Sequence, residues 1–273
     1  MAWLEIHQFS PTLGMQTTVH VLLPSPDVIA RVAEPLPTLY LLHGMSDDQS
    51  IWLRQTRIEA YAARYRMAVV MPMAGLSFYN DMAYGGRYFT YIGQELPDAL
   101  EAYLPLSKKR EDRFVAGLSM GGYGSLLLAL RRPDRYAAAA SLSGAVMLHK
   151  QAEAREADES DPFYQVMVNI FGTREALLEG PGNLCNLADA LVKRPADAPR
   201  LYMACGDRDF LFADNNEFYQ RYGKALSIEY HVSPGEHSWG FWNRYIERVL
   251  AWLKLPKVDP AWNGVNDDLG ADE

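Results

Sequence analysis

Residues 113–130 read Arg113-Phe-Val-Ala-Gly-Leu-Ser119-Met-Gly-Gly-Tyr-Gly-Ser-Leu-Leu-Leu-Ala-Leu130. The short apolar run from Phe114 to Leu118 predicts a buried strand, and the run from Tyr123 to Leu130 predicts a helix. Between them stands the pattern Gly-x-Ser-x-Gly, which in a strand-to-helix context predicts a nucleophile elbow. We expect a strained backbone at the serine, which exposes its hydroxyl beside the helix N-terminus. The two glycines of the pattern allow neighbouring segments to approach closely.

The composition is that of a soluble globular protein. Of the 273 residues, 49% are hydrophobic and 22% are charged, which supplies a full core for an α/β domain. The net charge is −8 and no run of lysine or arginine occurs, so nucleic acid and anionic membrane surfaces are not expected partners. No apolar run reaches the roughly 18 residues that would predict a transmembrane helix.

The N-terminus and the cysteines bear on the cellular compartment. Residues 1–8 lack a basic stretch followed by an apolar one, so they do not predict a secretory signal peptide. The two cysteines, Cys185 and Cys205, are too few for a disulfide framework. No His-Glu-x-x-His or Cys-x-x-Cys spacing predicts a metal site, and we expect neither metal nor cofactor. We therefore expect a cytoplasmic protein, and the sequence is compatible with a homo-oligomer.

Strand-like and helix-like segments alternate along the chain. This alternation predicts an α/β fold with a mostly parallel central sheet, helices on both faces, and a single domain over residues 1–273. Residues 145–198 are more polar and less regular, and we expect a helical insertion there that forms a partial cap over the site. The expected strands are 3–10, 17–23, 38–42, 67–71, 114–118, 136–142, 201–205 and 227–232. The expected helices are 51–64, 89–104, 123–130, 161–171, 174–178, 184–193, 213–224 and a last one with apolar positions from 241 to 253.

A serine hydroxyl is a poor nucleophile and needs a base within hydrogen-bond reach. Of the six histidines, only His237 lies in a loop with glycine and proline directly after a late strand, where the base of an α/β-hydrolase belongs. A carboxylate that orients the imidazole should follow the strand before it. Asp207 and Asp209 both meet this condition but cannot both point at the histidine. We favour Asp209 and expect Asp207 to bond its own turn.

Two backbone N–H groups are needed to bind the oxyanion of the tetrahedral intermediate. Met120 directly follows the nucleophile and is expected to supply one of them. The other should come from the loop after strand 38–42, where Met45 follows His43 and Gly44. We expect His43 to shape that turn.

Four motifs follow one another along the chain. They are Leu39-Tyr-Leu-Leu-His-Gly-Met45 with Trp52, the Gly-Leu-Ser-Met-Gly-Gly-Tyr elbow, Gly206-Asp-Arg-Asp-Phe-Leu211, and Gly235-Glu-His-Ser-Trp-Gly-Phe-Trp242. In this order they resemble the esterase D family of α/β-hydrolases. That family includes S-formylglutathione hydrolases, feruloyl and acetylxylan esterases, tributyrin-type acetyl esterases and, more distantly, mycolyltransferases. The resemblance implies the α/β-hydrolase fold, a Ser119–His237–Asp209 triad, and Met45 and Met120 as oxyanion donors.

The loops at 43–45 and 77–82 are most similar to those of the short-chain acetyl esterases. The resemblance therefore implies a serine carboxylesterase that acts on acetyl to butyryl esters, with sugar esters among the candidates, through an acyl-serine intermediate. Five aromatic residues flank the expected site in the sequence and are candidates for a substrate pocket: Trp52, Phe78, Tyr79, Tyr91 and Trp239.

Three alternatives remain open at this point. A thioesterase similar to S-formylglutathione hydrolase would share the fold, although those enzymes usually carry a cysteine where Ser46 and Asp47 stand. An acyltransferase would use the same triad and exclude water in favour of an acceptor. A non-catalytic binding protein on this scaffold would not require all three triad side chains.

Overall fold

The structure is a computed structural model that describes residues 1–30, 34–150 and 160–258. Eight strands form one sheet: β1 Ala2–Ser10, β2 Met15–Leu23, β3 Thr38–Leu42, β4 Ala68–Pro72, β5 Arg113–Leu118, β6 Ala138–Leu142, β7 Arg200–Gly206 and β8 Glu229–Ser233. Their order is β1-β2-β4-β3-β5-β6-β7-β8. β2 runs antiparallel to both of its neighbours, and all other adjacent pairs are parallel. The predicted mostly parallel sheet is confirmed.

Helices lie on both faces of the sheet. They are α1 Pro26–Ala30, α2 Ile51–Gln55, α3 Ile58–Ala62, α4 Tyr88–Thr90, α5 Leu96–Tyr103, α6 Met120–Arg131, α7 Pro162–Phe171, α8 Arg174–Glu179, α9 Leu184–Val192, α10 Phe212–Tyr222 and α11 Trp239–Trp252. Short 3₁₀ turns occur at Arg110–Asp112 and Pro195–Asp197. Successive residues of β3 alternate between two apolar cores, one with α5 and α6 and the other with α3 and α11. Of the helices in the described ranges, none has the length and apolar character that a membrane crossing requires.

The prediction of one continuous helix over residues 51–64 is wrong. The chain forms the short helices α2 and α3 instead, and it breaks at Thr56, whose backbone is extended with φ −135° and ψ 174°. The N–H of Arg57 donates to Asn243 Oδ1 of α11 at 2.9 Å. A side chain from a neighbouring helix therefore supplies the acceptor at the break. A short helix, α1, also lies between β2 and β3.

The helix predicted over 89–104 is present but not uniform. It begins as α4, passes through a π-helical turn at Tyr91–Glu95, and ends as α5. Pro97 lies in the first turn of α5, where its missing N–H does not interrupt the helix.

The insertion at 145–198 contains the three predicted short helices as α7, α8 and α9. It is anchored to the body of the domain by hydrogen bonds. Tyr123 Oη of α6 donates to Gly182 O at 2.5 Å, and Ala83 N–H donates to Ile170 O at 2.8 Å. Residues 151–159 lie outside the described residues. The partial cap over the site and the single domain over 1–273 stay predictions.

The elbow between β5 and α6 packs tightly against the end of β3. A Cβ atom on Gly117 would lie 2.4 Å from Gly121 O, and one on Gly121 would lie 2.4 Å from Leu42 O. Both obstacles are backbone atoms, which cannot rotate away as a side chain can. The predicted need for two glycines in this pattern is confirmed.

We expect Gly121→Ala to lower the free energy of unfolding by about 1–3 kcal/mol, because the methyl group has no room beside the β3 carbonyl. Gly240→Ala is the matched control: nothing lies within 4 Å of its Cβ position, and alanine favours a helix over glycine by about 1 kcal/mol. Urea denaturation of both variants measures the difference. Equal unfolding free energies would contradict the packing account.

Candidate active site

Ser119 occupies the sharp turn between β5 and α6. Its backbone has φ 51° and ψ −114°, a conformation that costs a non-glycine residue about 1–3 kcal/mol. The surroundings hold it there: its N–H donates to Leu142 O at 2.9 Å, and its carbonyl accepts from Ala145 N–H at 3.2 Å. The side chain remains partly exposed. The strained turn predicted from the sequence is confirmed.

Three side chains from three loops meet at this turn. His237 Nε2 lies 3.0 Å from Ser119 Oγ, and His237 Nδ1 lies 3.0 Å and 3.1 Å from the two carboxylate oxygens of Asp209. The Asp209 side chain is fully buried, whereas that of His237 is 19% exposed. Asp207 accepts a hydrogen bond from Gly235 N–H at 3.2 Å, so it ties its loop to the loop before His237 rather than bonding its own turn.

The environment of Asp209 favours its charged form. Burial raises the pKa of this carboxyl. Hydrogen bonds from His237, the Leu211 amide and the Ser143 hydroxyl lower the pKa by more than burial raises it, so the net shift is downward. A carboxylate acceptor holds the imidazole proton on Nδ1, which leaves Nε2 as the acceptor that faces Ser119. The arrangement can therefore remove a proton from the serine hydroxyl.

Three residues around His237 are not among the predicted site residues. Phe210 lies against the imidazole with ring centroids 4.5 Å apart, and Trp242 meets it edge-on at 4.8 Å. Trp242 Nε1 donates to Ser143 Oγ at 3.1 Å, so the hydroxyl proton of Ser143 remains available for Asp209. Their positions in the sequence could have indicated them. Phe210 directly follows the predicted acid, and Trp242 ends the motif that contains His237. Ser143 follows the strand that lies between the predicted nucleophile and the predicted acid in the sequence.

The loop after β3 lies beside the serine. A Cβ atom on Gly44 would be 3.8 Å from Ser119 Cβ. No residue in the described ranges accepts a hydrogen bond from the Met45 amide. Met120 is the first residue of α6, and the N–H of a first helical residue has no partner within its helix. Two amides near Ser119 are thus available to a ligand.

His43 holds this loop in place and is buried. Its Nε2 accepts from Ala74 N–H at 2.9 Å, so the ring proton must be on Nδ1, which donates to Gly44 O at 2.8 Å. Burial lowers the pKa of His43, which favours the neutral ring that this pattern requires. The prediction that His43 shapes the turn is confirmed.

The predicted aromatic pocket needs correction. Trp52, Tyr79 and Tyr91 are at most 1% exposed, and each uses its polar atom inside the protein. Trp52 Nε1 donates to the carbonyl of Leu42 (3.0 Å), Tyr79 Oη donates to that of His43 (2.8 Å), and Tyr91 Oη donates to Thr17 Oγ1 (2.9 Å). Trp52 and Tyr79 therefore hold the backbone at the start of the loop after β3, and Tyr91 belongs to the core.

The other two predicted pocket residues differ from each other. Phe78 is 3% exposed and packs edge-on against the Tyr123 ring at 5.9 Å, so it also belongs to the interior. Trp239 is partly exposed, and its indole meets those of Trp52 and Trp242 at 5.4 Å and 5.1 Å. Trp239 is the member of the predicted set that remains a candidate for substrate contact.

No three histidine, cysteine, aspartate or glutamate side chains within the described ranges are grouped so that they could ligate a metal ion.

Comparisons with known proteins show which family the chain is similar to. The family described as "Putative esterase" matches residues 10–253. An acetyl esterase of Caldicellulosiruptor saccharolyticus is 33% identical over 264 residues, which cover 93% of this chain and 98% of the relative.

Two solved structures from Staphylococcus aureus are similar to this chain in both fold and sequence. The fluorophosphonate-binding serine hydrolase FphF superposes with a TM-score of 0.84 at 34% identity. The S-formylglutathione hydrolase FrmB superposes with a TM-score of 0.81, also at 34% identity. Each match covers 92% of this chain and 98% of the other. The chain therefore belongs to the esterase family of α/β-hydrolases and is a serine esterase.

Proposed function

We propose that the chain hydrolyses small carboxylic esters, acetyl to butyryl, with sugar esters among the alcohols, through an acyl-Ser119 intermediate. The observation that carries this proposal is the hydrogen-bonded row Ser119–His237–Asp209, with heavy-atom distances of 3.0 Å at both junctions. The acyl range rests on the similarity to an acetyl esterase.

In the acylation step, Ser119 Oγ bonds to the ester carbonyl carbon while His237 Nε2 takes the hydroxyl proton. The carbonyl oxygen becomes an oxyanion and accepts hydrogen bonds from the amides of Met45 and Met120. Each such donor typically contributes about 3–4 kcal/mol to transition-state stabilisation. The bond between carbon and the alcohol oxygen then breaks, and His237 returns its proton to the departing alkoxide, which leaves as the alcohol.

In the deacylation step, water takes the place of the alcohol. His237 Nε2 removes a proton from the water as its oxygen bonds to the acyl carbon of the intermediate. Collapse of the second oxyanion breaks the bond to Ser119 Oγ, which regains the proton from His237 and releases the carboxylic acid. Asp209 remains a carboxylate throughout and stabilises the imidazolium that forms twice in each cycle.

A thioesterase similar to S-formylglutathione hydrolase is the second candidate, because FrmB is as similar in sequence as FphF. The same row of side chains would attack a formyl thioester. Ser46 and Asp47 stand where those enzymes usually carry a cysteine, which favours oxygen esters.

We expect kcat/KM to be highest for p-nitrophenyl acetate through butyrate, to fall for octanoate, and to be lower for S-formylglutathione than for the acetate. Ser119→Ala should reduce kcat by about 10⁴-fold or more because the nucleophile is lost. Circular dichroism of that variant controls for folding. A preference for S-formylglutathione would select the second candidate, and full activity of Ser119→Ala would contradict both.

Asp209 gives a pH-dependent prediction. Its folded-state pKa is lowered, so its contribution to stability is present above about pH 4, the unfolded value, and is lost as the pH falls through the folded value. Wild type should therefore exceed Asp209→Asn in unfolding free energy by more at pH 7 than at pH 3. We also expect Asp209→Asn to reduce kcat by about 10³–10⁴-fold.

The control for this variant is Asp207→Asn, which removes a carboxylate that bonds Gly235 rather than the imidazole. It should keep most of the activity. Equal losses of kcat in the two variants would show that the acid was assigned to the wrong aspartate.

A further inference from the structure

The turn after β3 places a carboxylate beside Ser119. Residues 44–47 form a tight turn, closed by a hydrogen bond from Asp47 N–H to Gly44 O at 3.3 Å, and Ser46 within it has a φ of 67°. The turn directs the Asp47 side chain back over Gly44. A Cβ atom on Gly44 would lie 2.9 Å from Asp47 Oδ2 and 3.8 Å from Ser119 Cβ, so the carboxylate and the serine border the same point.

The Asp47 carboxylate has no cation directly against it. No lysine or arginine within residues 1–30, 34–150 and 160–258 forms an ion pair with it, and its side chain is only partly exposed. Burial raises the pKa of Asp47, as does the charge of Asp48, while a hydrogen bond with the Gly44 backbone and the charge of Arg54 lower it. Because a carboxyl group ordinarily titrates near pH 4, Asp47 is a carboxylate at pH 8.

The loops after β7 and β8 do not offset this charge. Asp209 faces His237, and Arg208 Nε lies 3.6 Å from Glu236 Oε1, so the arginine is matched by a glutamate. Asp207 bonds the Gly235 amide and adds a charge of the same sign as that of Asp47. The region around Ser119 is therefore negative, and a partly buried cleft focuses such a field on a bound molecule.

We propose that Asp47 selects substrates by charge: the site admits neutral and cationic esters and disfavours esters that carry a carboxylate near the reacting carbonyl. This inference rests on the proposed ester hydrolysis and names the substrate class of the same site. Like charges brought together cost free energy, and the cost is larger in a partly buried site than in open water. Glutathione thioesters have a net negative charge at neutral pH, so the same carboxylate disfavours the second candidate function.

The charge of Asp47 can be separated from its structural role in the turn. Asp47→Asn keeps a side-chain oxygen that accepts a hydrogen bond from the Gly44 backbone, and it removes only the charge. A purely structural role would change the activity toward every ester by the same factor. A charge effect instead changes the activity according to the charge of the substrate, because repulsion acts only on the molecules that carry a like charge.

Two matched pairs of acetate esters test the proposal at pH 8. The ester p-acetoxybenzoate and its methyl ester differ by one negative charge, and acetylcholine and its carbon isostere neohexyl acetate differ by one positive charge. We expect Asp47→Asn to raise kcat/KM for p-acetoxybenzoate by about 10-fold relative to its methyl ester, and to lower kcat/KM for acetylcholine relative to neohexyl acetate. Salt at about 0.5 M should shift both ratios in the same directions in the wild type, and by less in the variant, because it screens the charge.

Asp134→Asn is the matched control. It changes the net charge equally but removes an exposed carboxylate beyond the end of α6 that is far from Ser119, so both ratios should keep their wild-type values. An equal effect of Asp47→Asn on all four esters, or equal shifts of the ratios in the two variants, would overturn the proposal while leaving ester hydrolysis intact. A wild-type chain that hydrolyses none of the four esters would contradict the proposed function and this inference with it.

Discussion

The contact between Gly121 and the end of β3 is the constraint on which the site depends. Because Gly121 lies directly under the carbonyl of Leu42, α6 must begin immediately after β5. The turn between them then has a single residue to reverse the chain, and Ser119 takes a positive φ. The same contact brings the loop with His43, Gly44 and Met45 beside the serine. One close approach of backbone thus sets both the exposure of Ser119 and the position of the amides next to it.

A second close approach joins the loops that carry Asp209 and His237. A Cβ atom on Gly206 would lie 2.4 Å from Gly235 O, and Asp207 bonds the Gly235 amide from the same side. These contacts hold the loop with Asp209 against the loop with His237. Ser143, also with a positive φ, links this pair to Trp242 of α11. The strained backbone of Ser119 and Ser143 is maintained because the packing around them leaves no room for a relaxed conformation.

The positions of the three central side chains followed from the sequence because each comes directly after a strand. Parallel strands end at the same edge of a sheet, so the ends of β5, β7 and β8 had to meet there. Both aspartates follow the same strand, and only one of them can point at the histidine; the resemblance to the esterase D family favoured Asp209. Local sequence therefore carried most of the information about the site.

The remaining features depended on partners that are distant in the sequence. The break between α2 and α3 uses Asn243, which lies 186 residues from Arg57. The aromatic residues were predicted to line a pocket because they are close to the motifs in the sequence. However, the hydroxyl groups of Tyr79 and Tyr91 donate to acceptors that lie 36 and 74 residues away in the sequence. A buried hydroxyl requires a partner, and the sequence does not show which partner the fold will bring.

Labelling with a fluorophosphonate tests the central claim most directly, which is that His237 and Asp209 activate a strained Ser119. We expect one label per chain, located by peptide mass spectrometry on the segment with Ser119, and a labelling rate that falls by about 10³-fold or more in His237→Ala. A label on another residue, or an unchanged rate in His237→Ala, would contradict the account.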